Sequence, residues 1–177
     1  MKQRLLGSPE VVVTVARVRE ILVAALDQGN MLLLFGNGGS AGDAQHIAAE
    51  FVGRFAFDRP ALPALALSVN TSCVTAIGND YGFDLVISRQ IEALGRPGDV
   101  AIGISISGNS QNVLQDVSAA QKMGIHTIAL TKSGGRQAQE PGGLLHLRAV
   151  ERDPSHSGVP HLNRSYHCGT SGRDPIP

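Results

Sequence analysis

The sequence predicts a three-layer α/β/α sandwich on a central parallel sheet, and three observations carry that prediction. Residues 31–35, MLLLF, hold no charge and run into a glycine-rich turn, as a strand covered on both faces does. Short apolar runs then alternate with longer segments of helical period as far as residue 130. The loops richest in glycine, serine and asparagine follow directly on two of those runs, where such a sheet binds ligands.

The elements follow in order. Ser8, Pro9 and Glu10 supply a capping hydroxyl, a first-turn proline and an early acid, and Gly29 supplies a stop, which predicts a helix over residues 10–28. Its Val11, Val12, Val15, Val18, Ile21, Leu22, Ala25 and Leu26 make an apolar stripe broad enough for the sheet and a second subunit. After the first strand, Gly36, Gly38 and Gly39 permit a tight turn, and Ser40 is expected to cap the helix that carries His46 and Glu50. Residues 64–68 read as a strand, 71–77 and 83–94 as helical pieces, 99–104 as a third strand, 110–123 as a helix and 126–130 as a fourth strand. From about Gln137 no period is sustained, and Pro141, Gly142, Gly143, Pro154, Gly158 and Pro160 break the chain, so residues 136–177 are expected to be irregular.

Composition narrows the function. At 177 residues and 42% hydrophobic content the chain predicts one domain with a real core. Fifteen basic against fifteen acidic residues give no broad field for nucleic acid or anionic membrane, which leaves a small molecule as the expected partner. Cys73 and Cys168 stand far apart without metal-ligand spacing, as in a reducing compartment. Charges interrupt the N-terminus where a signal peptide would be apolar, so a soluble, cytoplasmic protein is expected.

Three motifs carry chemistry. Residues 103–113, GISISGNSQNV, place Ser105, Ser107 and Ser110 between a strand and a helix start, so hydroxyls and free amides converge as in a phosphate cradle. No Walker lysine is present, which favours a phosphomonoester over a nucleoside triphosphate; a plain serine-rich helix cap reads equally well from this loop alone. His46 and Glu50, four apart, share a helix face and could bind one metal or act on one substrate; an isolated pair of this kind is more often a solvated surface pair. Asn79 and Asp80 form a polar cluster whose plain reading is turn chemistry. Residues 36–41 also satisfy a dinucleotide pattern, but no acid follows the next strand, which counts against NAD.

The segments FGNGGSAGDAQHIAAEFVGRF, ALSVNTSCVTAIGNDYGF, GRPGDVAIGISISGNSQNV and IALT, in that order and spacing over roughly residues 10–135, resemble the phosphoheptose isomerases of the sugar isomerase (SIS) family. The resemblance implies conversion of sedoheptulose 7-phosphate to D-glycero-D-manno-heptose 7-phosphate through a cis-enediol, in heptose biosynthesis. It implies that Asn37, Gly38, Gly39, Glu50, Asn79 and Asp80 contact substrate and that Ser105, Ile106, Ser107 and Ser110 hold the phosphate. It implies zinc on His46 and Glu50, with Glu50 also the catalytic base, and a homotetramer with sites between subunits. A non-catalytic SIS branch that binds sugar phosphates or the replication initiator DnaA is the alternative; that branch keeps a histidine like His46 but no acid like Glu50.

The C-terminus departs from the family. A helix whose Gln and His complete the zinc site and the acid/base pair is expected there. His156, His161 and His167 lie in unmatched surroundings and receive no role. Reading the codons allowed for residues 150–167 one nucleotide forward permits SNETPRIQESHILIGHI, with Gln and His at family spacing. A frameshift near residues 133–137 is therefore expected, with residues 1–135 forming the SIS unit and turnover dependent on a helix that this chain replaces.

Overall fold

The computed structural model describes residues 9–108, 110–132 and 145–150. In order it holds α1 (Pro9–Asp27), β1 (Leu32–Gly36), α2 (Gly39–Val52), β2 (Ala64–Ala66), α3 (Thr71–Tyr81), a 3₁₀ turn (Phe83–Leu85), α4 (Ser88–Leu94), β3 (Val100–Ser105), α5 (Gln111–Lys122), β4 (His126–Lys132) and β5 (Leu145–Val150). The five strands form one sheet in the order β2-β1-β3-β4-β5. The first four are parallel, as expected of strands joined by helical crossovers.

Alternation along the strands builds the two cores. Leu33 and Phe35 face one side, where Ala101 and Ala129 meet Ile91 of α4 and Val113, Val117 and Ala120 of α5. Leu32 and Leu34 face the other, where Val100, Ile102, Ile104 and Ile128 meet Val18 and Ala25 of α1 and Ala44 and Ala48 of α2. β1 is buried at every position, which is why its sequence is uniformly apolar rather than alternating. Asp99 locks the entry to this sheet: its two carboxylate oxygens accept the backbone N–H groups of Met31 and Arg96, each at 2.8 Å.

In its elements and sheet the structure differs from the sequence reading as follows. The sheet is not wholly parallel, because β5 runs antiparallel to β4, with Leu145 opposite Lys132 and Val150 opposite Thr127. The residues from 137 onward are not all irregular either: 145–150, LHLRAV, form a strand whose sequence alternates apolar and polar for two pairs and ends on Ala149 and Val150. Residues 83–94 divide into the 3₁₀ turn and α4 rather than one helix. On α1, Val18 and Ala25 are buried while Val12 and Val15 are exposed, so only part of the stripe is used within one chain. Ser8, Cys168, His156, His161, His167 and the expected C-terminal replacement, apart from 145–150, lie outside the described residues.

Candidate active site

From β1 the chain moves outward to β2 and then returns to β3 on the other flank of β1. The two connections leave β1 and β3 in opposite directions, opening a crevice at their C-terminal ends. Both ligand loops read from the sequence, residues 36–40 and 105–110, emerge there.

The backbones meet closely at that crevice. A Cβ on Gly36 would lie 2.7 Å from both the Ile104 carbonyl oxygen and the Ser40 Cβ, so only glycine fits. Gly38, at φ +54°, precedes α2. Ser40 does not cap that helix as expected. It lies one residue inside the helix, with its side chain buried, and its backbone N–H donates to the Asn37 carbonyl at 3.0 Å.

The serine loop gathers its hydroxyls into a triangle. The Oγ of Ser105 donates to that of Ser110 at 3.1 Å, and the Ser107 hydroxyl lies 3.4 Å from Ser110 and 3.5 Å from Ser105. Ser110 is the N-cap residue of α5, yet its side chain makes no capping bond, so its hydroxyl stays in the triangle at the positive end of that helix. Gly108, at φ +67°, turns the chain between them, and Ile106 is exposed at the rim. Three hydroxyls and a helix N-terminus converging on one point suit a phosphate dianion.

Asn112, which the sequence reading did not single out, links the two loops. Its carboxamide exchanges two hydrogen bonds with that of Asn37, at 2.9 and 3.1 Å. Asn37 is exposed and Asn112 is only 7% exposed. The available signal was the asparagine one residue past a helix's first position, in a loop already read as a cradle.

On α2, His46 Nε2 lies 3.9 Å from Glu50 Oε1, so the expected pair forms. The side chains are 75% and 32% exposed, which makes His46 more open than its apolar neighbours had suggested. Arg59, also missed in the sequence, holds the last turn: its guanidinium donates to the carbonyls of Glu50 at 2.6 Å and Phe51 at 2.9 Å. One imidazole nitrogen and one carboxylate on an accessible face are donors that zinc accepts, and they fit half of a four-coordinate site. Among the described residues no group of three or more His, Cys, Asp or Glu side chains could hold a metal.

Asn79 and Asp80 are bonded to each other, Nδ2 to Oδ1 at 2.8 Å. Asp80 lines an open groove of about 560 Å³ beside β2, with Leu65, Cys73, Ile77 and Arg89 among its walls. Neither residues 37–50 nor residues 105–110 belong to that lining.

Residues 11–132 match the SIS domain. Over 140 residues the chain is 50% identical to the phosphoheptose isomerase of Sulfurimonas denitrificans, a match covering 78% of this chain and 72% of that protein. The chain belongs to the phosphoheptose isomerase family of SIS-domain proteins. It is 58% identical over 123 residues to the phosphoheptose isomerase of Aquifex aeolicus, covering 69% of this chain and 64% of that protein. The solved phosphoheptose isomerase of Neisseria gonorrhoeae superposes with a TM-score of 0.65 at 49% identity, over 72% of this chain and 66% of that one. That of Francisella tularensis gives 0.68 at 36% identity, over 76% and 69%. The SIS match thus spans the first four strands, and the chain covers about two thirds of the length of these relatives.

Proposed function

We propose that this SIS domain is an aldose–ketose isomerase acting on sedoheptulose 7-phosphate, giving D-glycero-D-manno-heptose 7-phosphate in heptose biosynthesis. The hydroxyl triangle at the start of α5, tied to the glycine loop, carries the reading, and the identity to phosphoheptose isomerases supports the choice of sugar. Ser105, Ser107, Ser110 and the backbone at Ile106 hold the phosphate. Asn37, Gly38 and Gly39 receive the sugar, and the Glu50 carboxylate takes the proton from the carbon beside the ketone, giving a cis-enediol. Reprotonation at the neighbouring carbon requires a second acid. His46 and Glu50 would hold zinc; such an ion polarises sugar oxygens as negative charge develops on them.

The exposed Val12, Val13, Val15 and Val23 of α1 favour a homotetramer, and the opening of Asp80 on a groove whose lining holds neither ligand loop favours sites shared between its copies. The setting is the cytoplasm. Residues 1–135 form the SIS unit and residues 136–177 follow a frameshift; the family match ending at residue 132 supports that boundary.

The test is conversion of sedoheptulose 7-phosphate by the purified chain, alongside zinc content. In a frame-restored protein Glu50→Gln should abolish turnover and leave sugar-phosphate binding in place; turnover equal to the frame-restored parent removes the base role from Glu50. A frame-restored protein that binds the sugar phosphate and converts none of it belongs to the non-catalytic reading instead.

A further inference from the structure

We propose that Asn112 is a positioning residue for the sugar end of the substrate, acting through Asn37 and coupling the glycine loop to the phosphate cradle. The inference rests on the functional reading above. Asn37 and Asn112 are 75 residues apart in sequence and sit on loops leaving different strands. Each loop turns through a glycine of positive φ, Gly38 on one side and Gly108 on the other, so neither is stiff by composition.

The carboxamide pair supplies the tie. Each side chain donates one N–H and accepts one bond, which fixes both amide planes at once. Asn112 is buried, so losing its partner leaves a polar group without water to replace it, and this holds Asn37 in place more firmly than an exposed pair would. Asn37 keeps one further N–H and acceptor capacity on its exposed side, in an orientation set by Asn112.

The position of Asn112 on α5 makes the tie functional rather than only structural. It stands two residues after Ser110, on the helix whose first turn forms the cradle. A phosphate ordering the start of α5 therefore also orders Asn37, and the two ends of a sugar phosphate are read by one rigid unit. Truncating Asn112 should leave the serine hydroxyls in place while freeing Asn37 to rotate.

Calorimetric titration of the full chain with inorganic phosphate and with sedoheptulose 7-phosphate, for the parent, Asn112→Ala, Asn37→Ala and the double variant, tests this. Asn112→Ala should weaken the sugar phosphate by about three- to tenfold, the effect of one lost hydrogen bond, and change inorganic phosphate less than twofold. The double variant should bind the sugar phosphate as Asn37→Ala does, because Asn112 has no other route to it. Equal weakening of both ligands, an unchanged sugar-phosphate affinity, or additive losses in the double variant would overturn the positioning role. A parent chain that binds neither ligand overturns the functional reading and the inference with it. Asn112→Ser, which leaves a smaller cavity, serves if the alanine variant melts early; it should show the same split between the two ligands.

Discussion

Asp116 is the clearest conflict between the sequence and the fold. It sits on α5, is 1% exposed, and neither carboxylate oxygen has a hydrogen-bond partner among the described residues. Burial pushes its carboxyl up to about 8; the nearby Ser88 backbone opposes this, and the negative Asp84 adds to it. At pH 7 the folded chain therefore holds a proton here that the unfolded chain, titrating near 3.8, has released. The unfolded state binds fewer protons throughout the window between those values, so stability falls as pH rises through it and levels off above about 8. At pH 7 the penalty is about 4 kcal/mol relative to an ordinary carboxyl, an upper bound because a slight opening admits water. Urea unfolding of the parent and Asp116→Asn at pH 5, 7 and 9 measures it. The variant should gain on the parent by up to about 1.4 kcal/mol for each pH unit between 4 and 8, with no further gain beyond. Asp116→Leu should behave alike, since no polar partner is lost. A stability difference independent of pH, or an asparagine variant weaker than the parent at pH 9, would refute the reasoning.

Other expectations concern the crevice and α2. Gly36→Ala should cost about 1–3 kcal/mol in chemical denaturation, because its Cβ meets backbone at Ile104 and the Cβ of Ser40, neither of which is a flexible tip. Ser110→Ala removes the hydroxyl that touches both others in the triangle; inorganic phosphate should bind about tenfold more weakly with the melting temperature little changed. Arg59→Ala frees the carbonyls that end α2 and should lower stability by about 1–2 kcal/mol, with faster proteolysis within residues 53–63 as the readout. Sequencing the coding DNA checks the C-terminus: codons 150–167 read one base forward should encode the TPRIQ-containing peptide, and any other product discards the frameshift.

Much of this fold was legible because local and global signals agree. The uncharged 31–35 run, the glycine turn and the helical period after it all point to one strand–loop–helix unit, and the structure places β1 and α2 there. The serine triangle was legible for the same reason, since residue types and a helix start coincide. Asn112 was not, because its role depends on a partner 75 residues away, and the strand order that joins them is not written in either segment. Arg59 is similar: a lone arginine in a loop gives no sign that the loop folds back on the end of α2. Ser40 misled because the turn enters α2 two residues earlier than its cap preference suggested. β5 escaped detection because two apolar–polar pairs are too few to stand out among glycines and prolines.

The direction of β5 decides which rim of the sheet its end reaches. Four parallel strands all deliver the chain to the crevice rim, and a parallel fifth would do so again. An antiparallel β5 begins at that rim, opposite the end of β4, and carries Val150 to the opposite rim. Six residues of strand amount to about 20 Å of travel away from the serine and glycine loops. Val150 therefore stands at the rim where β1 begins and α2 ends, about that length from the hydroxyl triangle.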